Sequence, residues 1–210
     1  VDNKRLRLWL LSGAVFATAL LICHVYLGKA QSFQVLQNAL FIAPAAWEII
    51  TFFGDGLAVA VLFPALWYMR SRQAALALLL AWLLGTLAVQ GLKNTVFKNE
   101  QRPIAWFENV QKTPLRIPDG IATPYRNFSF PSGHTATAFS IWGALLLFMR
   151  GNFWSIICCG IPVLVGLSRI VLMQHFPIDV GIGALIGTAS VLPALWVYKK
   201  WSNESDISLN

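Results

Sequence analysis

Charge is scarce in this sequence. Only 12% of its 210 residues are Asp, Glu, Lys or Arg, against about 25% in an average soluble domain. Apolar residues make up 57%, more than a globular core of this size hides. Where such residues fall in runs of about 20, a soluble domain is excluded and membrane burial is implied. Cysteine is scarce too: Cys23, Cys158 and Cys159 all lie inside apolar stretches. The neighbours Cys158 and Cys159 would pair only under strain, so the three read as small packing residues rather than a disulfide scaffold. Also missing is any group of His, Cys and carboxylates at metal-ligand spacing, so chemistry has to proceed without a protein-held metal. There is no internal repeat and no low-complexity tract. No cofactor, no nucleic-acid partner and no obligate protein partner is expected.

What is present is six apolar runs. They are Leu8–Leu27, Phe52–Met69, Ala74–Leu92, the shorter Thr135–Met149, Phe153–Leu172 and Ile178–Tyr198. The first is too long for a removable leader and lacks the small-residue cleavage site. Six spans in 210 residues leave no room for a second domain. The expected fold is all-α: a six-transmembrane-helix bundle, one domain over residues 1–210.

Lys and Arg then orient the bundle. With the N-terminus inside, the inner set is Lys4, Arg5, Arg7, Arg70, Arg72, Arg150, Lys199 and Lys200. The outer set is Lys29, Lys93, Lys98, Arg102, Lys112, Arg116, Arg126 and Arg169. The two sets are equal in number, but the inner charges flank spans in short loops and tails. Six of the outer ones crowd between Lys93 and Arg126, in a long polar stretch that looks functional rather than topogenic. Both termini are therefore placed in the cytoplasm. Between the first two runs, Ser32 is expected to cap a short interfacial helix carrying Phe33, Leu36 and Leu40 on one face. Trp47 follows at headgroup level. The polar tail from Ser202 is expected to be loose.

Three polar clusters fall at span ends that share one side. Lys93 ends the third run, with Arg102 and Pro103 following. Pro131-Ser132-Gly133-His134 opens the fourth. Ser168-Arg169 closes the fifth, and His175 and Asp179 open the sixth. Each suits a phosphate site. Arg102 and Arg169 offer planar donor forks for phosphate oxygens, and Lys93 a point charge. Ser132 and the amides around Gly133 stand at a helix N-terminus, which attracts anions. Gly133 lets an oxyanion approach the backbone closely. Pro177 suits a first helical position, which puts Asp179 in the first turn, where its carboxylate reaches back as in a capping box. From there it can orient His175 and leave one ring nitrogen free as a nucleophile.

These residues resemble the signatures of the type 2 phosphatidic acid phosphatase family. Ser168-Arg169, five residues, His175, three residues and Asp179 match its third signature. Pro131–His134 matches the second without change, and Arg102-Pro103 the end of the first. The family usually has six residues between its first Lys and the Arg-Pro pair. Here Lys93 has eight and Lys98 has three, which leaves the choice open, with Lys93 favoured because it ends a span. The resemblance covers roughly residues 52–198.

It implies a membrane lipid phosphatase whose active site lies at the outer ends of spans three to six. His175 would attack phosphorus, Asp179 would orient it, and His134 would protonate the leaving oxygen. Lys93, Arg102, Ser132, Gly133 and Arg169 would hold the phosphoryl oxygens. The substrate would be a phospholipid, or a polyprenyl or lipid A phosphate, in a bacterial cytoplasmic membrane, with the site facing the periplasm or exterior. Undecaprenyl diphosphate, phosphatidylglycerol phosphate and lipid A 1-phosphate all fit. The alternative is a non-catalytic lipid carrier or scramblase that keeps the phosphate pocket, against which the intact His134, His175 and Asp179 weigh.

Single residues carry plainer readings. A span-end Arg anchors at headgroups, and an Asp in a first turn complements the helix dipole. His24, mid-span, reads as a buried hydrogen-bonded residue. Asp55 is an intramembrane carboxylate and so a functional suspect, although its place near a span end favours a helix-start role. The aromatics Trp106, Phe107, Tyr125, Phe128 and Phe130 are expected at the interface or around a lipid entrance.

Overall fold

The computed structural model describes residues 2–41, 43–115, 117, 121, 124–149 and 151–207, and of 202–207 the backbone alone. Arg116 and Arg150 lie outside the described residues. Among those described, the regular structure is entirely helical. The helices are α1 (Asn3–Leu40), α2 (Pro44–Phe52), α3 (Gly56–Met69), α4 (Arg72–Thr95), the short α5 (Pro103–Trp106), α6 (Gly133–Phe148), α7 (Asn152–Val171) and α8 (Pro177–Ile207).

Among the described residues four helices are long and apolar enough to cross a membrane: α1, α4, α7 and α8. The bent pair α2 and α3, meeting at 49°, makes a fifth if it is one span. These helices mark a membrane protein. The six runs expected as spans thus become four such helices, a broken pair and one shorter helix. Of the tail expected to be loose, 202–207 continue α8, and 208–210 lie outside the described residues.

Helix α1 also departs from expectation. Its regularity breaks at Gly28, which has φ 74° and ψ 172°, a conformation open to glycine at no steric cost. The segment carrying Phe33 therefore starts at Gly28. Ser32 does not cap it; its hydroxyl donates to the carbonyl of Lys29 at 3.3 Å. Phe33 is fully buried and packs against Phe107 and Phe176.

Helix α6 stands at the centre, packed by α4, α7 and α8, with every residue from Thr135 to Phe148 buried. At 1.5 Å per residue its 16 residues give about 24 Å, less than the ~30 Å hydrocarbon thickness. The carbonyls of its last turn would be left unsatisfied, but two arginines cover them. Arg5 Nη1 donates to Leu146 O at 3.4 Å and Arg70 Nε to Phe148 O at 3.0 Å. Two residues expected to serve as topological charges therefore also cap a helix.

Small residues bring α8 onto α6. A Cβ on Gly183 would sit 2.6 Å from Ser132 O, and one on Gly187 would sit 2.3 Å from Ala136 O. This four-residue spacing of glycines is a standard means of close helix approach in membranes. Ser140 and Ser190 add a hydroxyl pair at 2.8 Å across the same contact. The result fixes the start of α6 against the start of α8, where the polar clusters lie.

Candidate active site

Four helix ends converge at one end of the bundle. Lys93 lies in the last turn of α4 and Arg169 in the last turn of α7. Ser132 is the N-cap of α6, and Asp179 lies in the first turn of α8. The amide of Ser132 donates to Asp179 O at 2.9 Å, which ties two of these starts together. The Ser132 hydroxyl pairs with Thr135 Oγ1 at 2.8 Å and does not cap the helix. The first amides of α6 are therefore left to an anion, as the helix dipole favours.

Four residues after α7 ends at Val171, the chain presents His175, 1% exposed. Amides of Gln174 and His175 both donate to Arg169 O, at 2.9 and 3.1 Å, so the loop is folded back on the helix end. The Asp179 carboxylate reaches back to the Phe176 amide at 2.9 Å, which is half of a capping box. Its Oδ2 stands 3.6 Å from His175 Nδ1. That is ion-pair range rather than a hydrogen bond, because the same oxygen accepts from Ser129 Oγ at 2.5 Å. Burial, followed by the positive charges of Arg102, Lys93 and Arg169, holds the His175 pKa well below the ordinary histidine value. The imidazole is therefore neutral, the form a nucleophile needs.

The cations are held from several sides. Lys93 is buried while Lys98 is exposed, and it is Lys93 whose charge bears on both His134 and His175. Arg102 follows α4 in a segment stitched to the 124–130 stretch. Its amide donates to Arg126 O at 2.9 Å, its Nε to Asn127 O at 2.9 Å, and its Nη1 to Gln174 Oε1. Arg169 is 7% exposed; its Nη1 donates to Thr51 Oγ1 at 2.7 Å, and its Nε has no hydrogen-bond partner. A buried guanidinium with an open donor suits an anionic oxygen.

His134 lies in the first turn of α6, with its Nε2 3.5 Å from Asp55 Oδ2. Asp55 is also the N-cap of α3, accepting from the Leu57 amide at 3.0 Å. The helix-start role and the contact with a site histidine thus fall on one residue. Gly133 has open space about its Cα, since an added Cβ would find its nearest neighbour, Val89, at 3.9 Å.

All eight residues singled out from sequence fall within this one region. Ser129, Gln174 and Thr51 were not among them. Gln174 and Ser129 border the signature residues, but nothing in their type marks them. Thr51 lies far upstream and is joined to Arg169 only by the fold. Two other expectations are corrected. His24 Nδ1 is buried without a hydrogen-bond partner. Phe107 is fully buried, and Trp106 packs on Phe107 and Phe176 rather than lying free at an interface. Tyr125 is exposed and faces the Arg102 guanidinium at 5.3 Å, and Phe128 is exposed beside it.

Among the described residues no three His, Cys or acidic side chains are grouped to hold a metal. The two carboxylates of the site, Asp55 and Asp179, each face a histidine and accept from a backbone amide. The surrounding charge is cationic, which is a donor set for an anion.

The family model described as the PAP2 superfamily matches residues 74–203. Over 74 residues the chain is 40% identical to the bacitracin transport permease protein BcrC of Bacillus licheniformis. That stretch is 35% of this chain and 36% of the relative, so the match spans about a third of either. The crystal structure of LpxE from Aquifex aeolicus is similar with a TM-score of 0.67 at 29% identity, over 80% of this chain and 94% of that one. The first transmembrane PAP2 type phosphatidylglycerolphosphate phosphatase from Bacillus subtilis gives 0.55 at 23% identity, over 97% and 98%. At that identity the likeness is one of fold.

Proposed function

This chain belongs to the PAP2 superfamily, and from that premise we propose that it is a lipid phosphatase working through a phosphohistidine on His175. The observation that carries this reading is the buried imidazole of His175, 3.6 Å from the Asp179 carboxylate and under the charge of Arg102, Lys93 and Arg169. Transport alone needs no nucleophile.

Asp179 faces Nδ1, so Nε2 is the nitrogen that attacks phosphorus. As the P–N bond forms, positive charge grows on the ring and Asp179 offsets it. The Arg102 and Arg169 forks, Lys93 and the Gly133 amide at the start of α6 hold the equatorial oxygens as charge spreads over them. His134 gives a proton to the departing oxygen as the P–O bond breaks. Water then attacks phosphorus, the P–N bond breaks, and inorganic phosphate leaves. No step calls on a metal.

The broken pair α2 and α3 would be one span and the short α6 another, which makes six in a single integral-membrane domain. Arg5 and Arg70, at the opposite end from the site, would sit on the cytoplasmic side, so the site faces the periplasm or exterior of a bacterial cytoplasmic membrane. A short α6 would place His134 below the outer headgroups, within reach of a lipid phosphate arriving laterally.

Phosphate release from undecaprenyl diphosphate, phosphatidylglycerol phosphate and lipid A 1-phosphate tests the reading on one purified preparation. Turnover should persist in EDTA and stop with vanadate, which adopts the five-coordinate geometry of in-line transfer. Failure on every lipid, or activity lost in EDTA and restored by magnesium, would overturn it.

A further inference from the structure

The junction of α2 and α3, from Thr51 in the last turn of α2 to Asp55, reaches into the site at three points. Thr51 Oγ1 accepts from Arg169 Nη1 at 2.7 Å. Gly54 lies so close to α6 that a Cβ there would meet His134 O at 2.7 Å. Asp55 Oδ2 stands 3.5 Å from His134 Nε2. The backbone is pinned where it turns, because Trp142 Nε1 on α6 donates to Phe53 O at 3.0 Å. None of Thr51, Gly54 and Asp55 falls within residues 74–203, the part of the chain that carries the family match.

The two oxygens of Asp55 have separate work. One accepts from the Leu57 amide and starts α3. The other turns to His134. Facing that imidazole with positive charge are Arg169 from α7, Lys93 from α4 and Arg102 from the segment after it. Asp55 is the carboxylate that faces it. A groove of about 300 Å³ opens alongside, lined by Asp55, Trp82, Gly133, His134 and Thr137. A departing group can therefore reach the pair.

We propose that Asp55 is a positioning residue for His134, completing an Asp55–His134 dyad that delivers the proton to the leaving oxygen. This rests on the reading of His134 as the proton donor. Asp55 keeps a proton on Nε2, and its charge together with that of the entering phosphate lets Nδ1 take up a second proton from solvent, so the ring donates as the imidazolium. That proton passes to the departing oxygen as the P–O bond breaks, leaving a neutral ring. In the second half, Nδ1 takes a proton from water as its oxygen bonds phosphorus and the P–N bond to His175 breaks. The dyad returns to its starting state. A carboxylate that orients and charge-balances a histidine in this way is the general logic of catalytic triads.

The obvious objection is that Asp55 serves only as a helix cap. Asp55→Asn separates the two roles, because Asn caps as well as Asp but carries no charge. Should that variant not fold, Asp55→Ser, which also keeps a capping oxygen, takes its place. The full chain in detergent is assayed on phosphatidic acid, whose leaving alkoxide needs a proton, and on 4-nitrophenyl phosphate, whose leaving group hardly does. Asp55→Asn should lose about tenfold or more on phosphatidic acid, within the 10²–10⁴ that general acid catalysis supplies. On the aryl phosphate it should lose far less, and Asp55→Glu should recover part of the difference. Added to His134→Ala, it should cost nothing further.

Equal loss on both substrates, no loss on either, or full additivity with His134→Ala would overturn the dyad. If His134→Ala is itself insensitive to the leaving group, the proton-donor reading falls and takes the dyad with it. If wild type releases no phosphate, the phosphatase reading fails as a whole. A leaving-group effect in His134→Ala that Asp55→Asn does not share removes the dyad alone.

Discussion

Asp179 Oδ2 lies 3.6 Å from His175 Nδ1, yet the hydrogen bonds it accepts come from Ser129 Oγ at 2.5 Å and the Phe176 amide at 2.9 Å. The carboxylate is thus aimed by two neutral donors, independently of the histidine it faces. It can answer charge on the ring as the charge appears, without being moved.

Ser129 is therefore expected to matter although it touches no phosphate. Ser129→Ala leaves a buried carboxylate short of one donor, which costs about 1–3 kcal/mol. Denaturation in detergent should show that loss and Ser129→Thr should restore most of it. Unchanged stability in Ser129→Ala would mean the hydroxyl is not what holds Asp179.

The pKa of His175 sets a pH dependence. Its folded value lies well below the ordinary one, so below pH about 6.5 the unfolded chain binds a proton that the folded chain does not. Stability should fall as pH drops through that range and change little above it. His175→Gln should flatten the slope. With an aryl phosphate, the burst of phosphoenzyme should hold steady between about pH 7 and 6, where an ordinary histidine would be half protonated. A midpoint near 6.5 would show an unshifted imidazole.

Gly133→Ala separates fold from ligand. Space for the methyl exists, with the nearest atom at 3.9 Å, so melting should be nearly unchanged. Phosphate and vanadate should bind more weakly, because the methyl crowds the oxyanion against the α6 amides. Unaltered vanadate inhibition would remove Gly133 from the site.

How much of this was legible in the sequence follows the range of the forces involved. Apolar runs place helices because membrane burial is a property of each segment alone. The signatures are local too, so His134, Arg169, His175 and Asp179 could be read directly. The end of a span favoured Lys93 over Lys98 without deciding between them, and the fold buries Lys93 and leaves Lys98 exposed. The Arg5 and Arg70 caps on α6 join residues 141 and 78 positions apart, and Thr51 meets Arg169 across 118. No local pattern announces such pairs. Ser32 misled because a good capping residue was outdone by Gly28, which alone accommodates the break. Asp55 offered two roles in the sequence, and the fold sets one of its oxygens on the Leu57 amide and the other 3.5 Å from His134 Nε2.

Orientation is tested at Tyr125, exposed in the segment beside Arg102. In a background with Cys23, Cys158 and Cys159 replaced, Tyr125→Cys should react with a membrane-impermeant thiol reagent in intact spheroplasts. Labelling only after lysis would reverse the topology.

The central claim is a covalent phosphohistidine on His175. Wild-type protein mixed with a ³²P-labelled lipid phosphate and quenched in alkali within one turnover should carry label on the peptide containing His175. The label should form and decay fast enough to account for turnover, accumulate in His134→Ala when an aryl phosphate is used, and be absent in His175→Ala. Turnover without any labelled protein, or label on another residue that survives His175→Ala, would contradict the account.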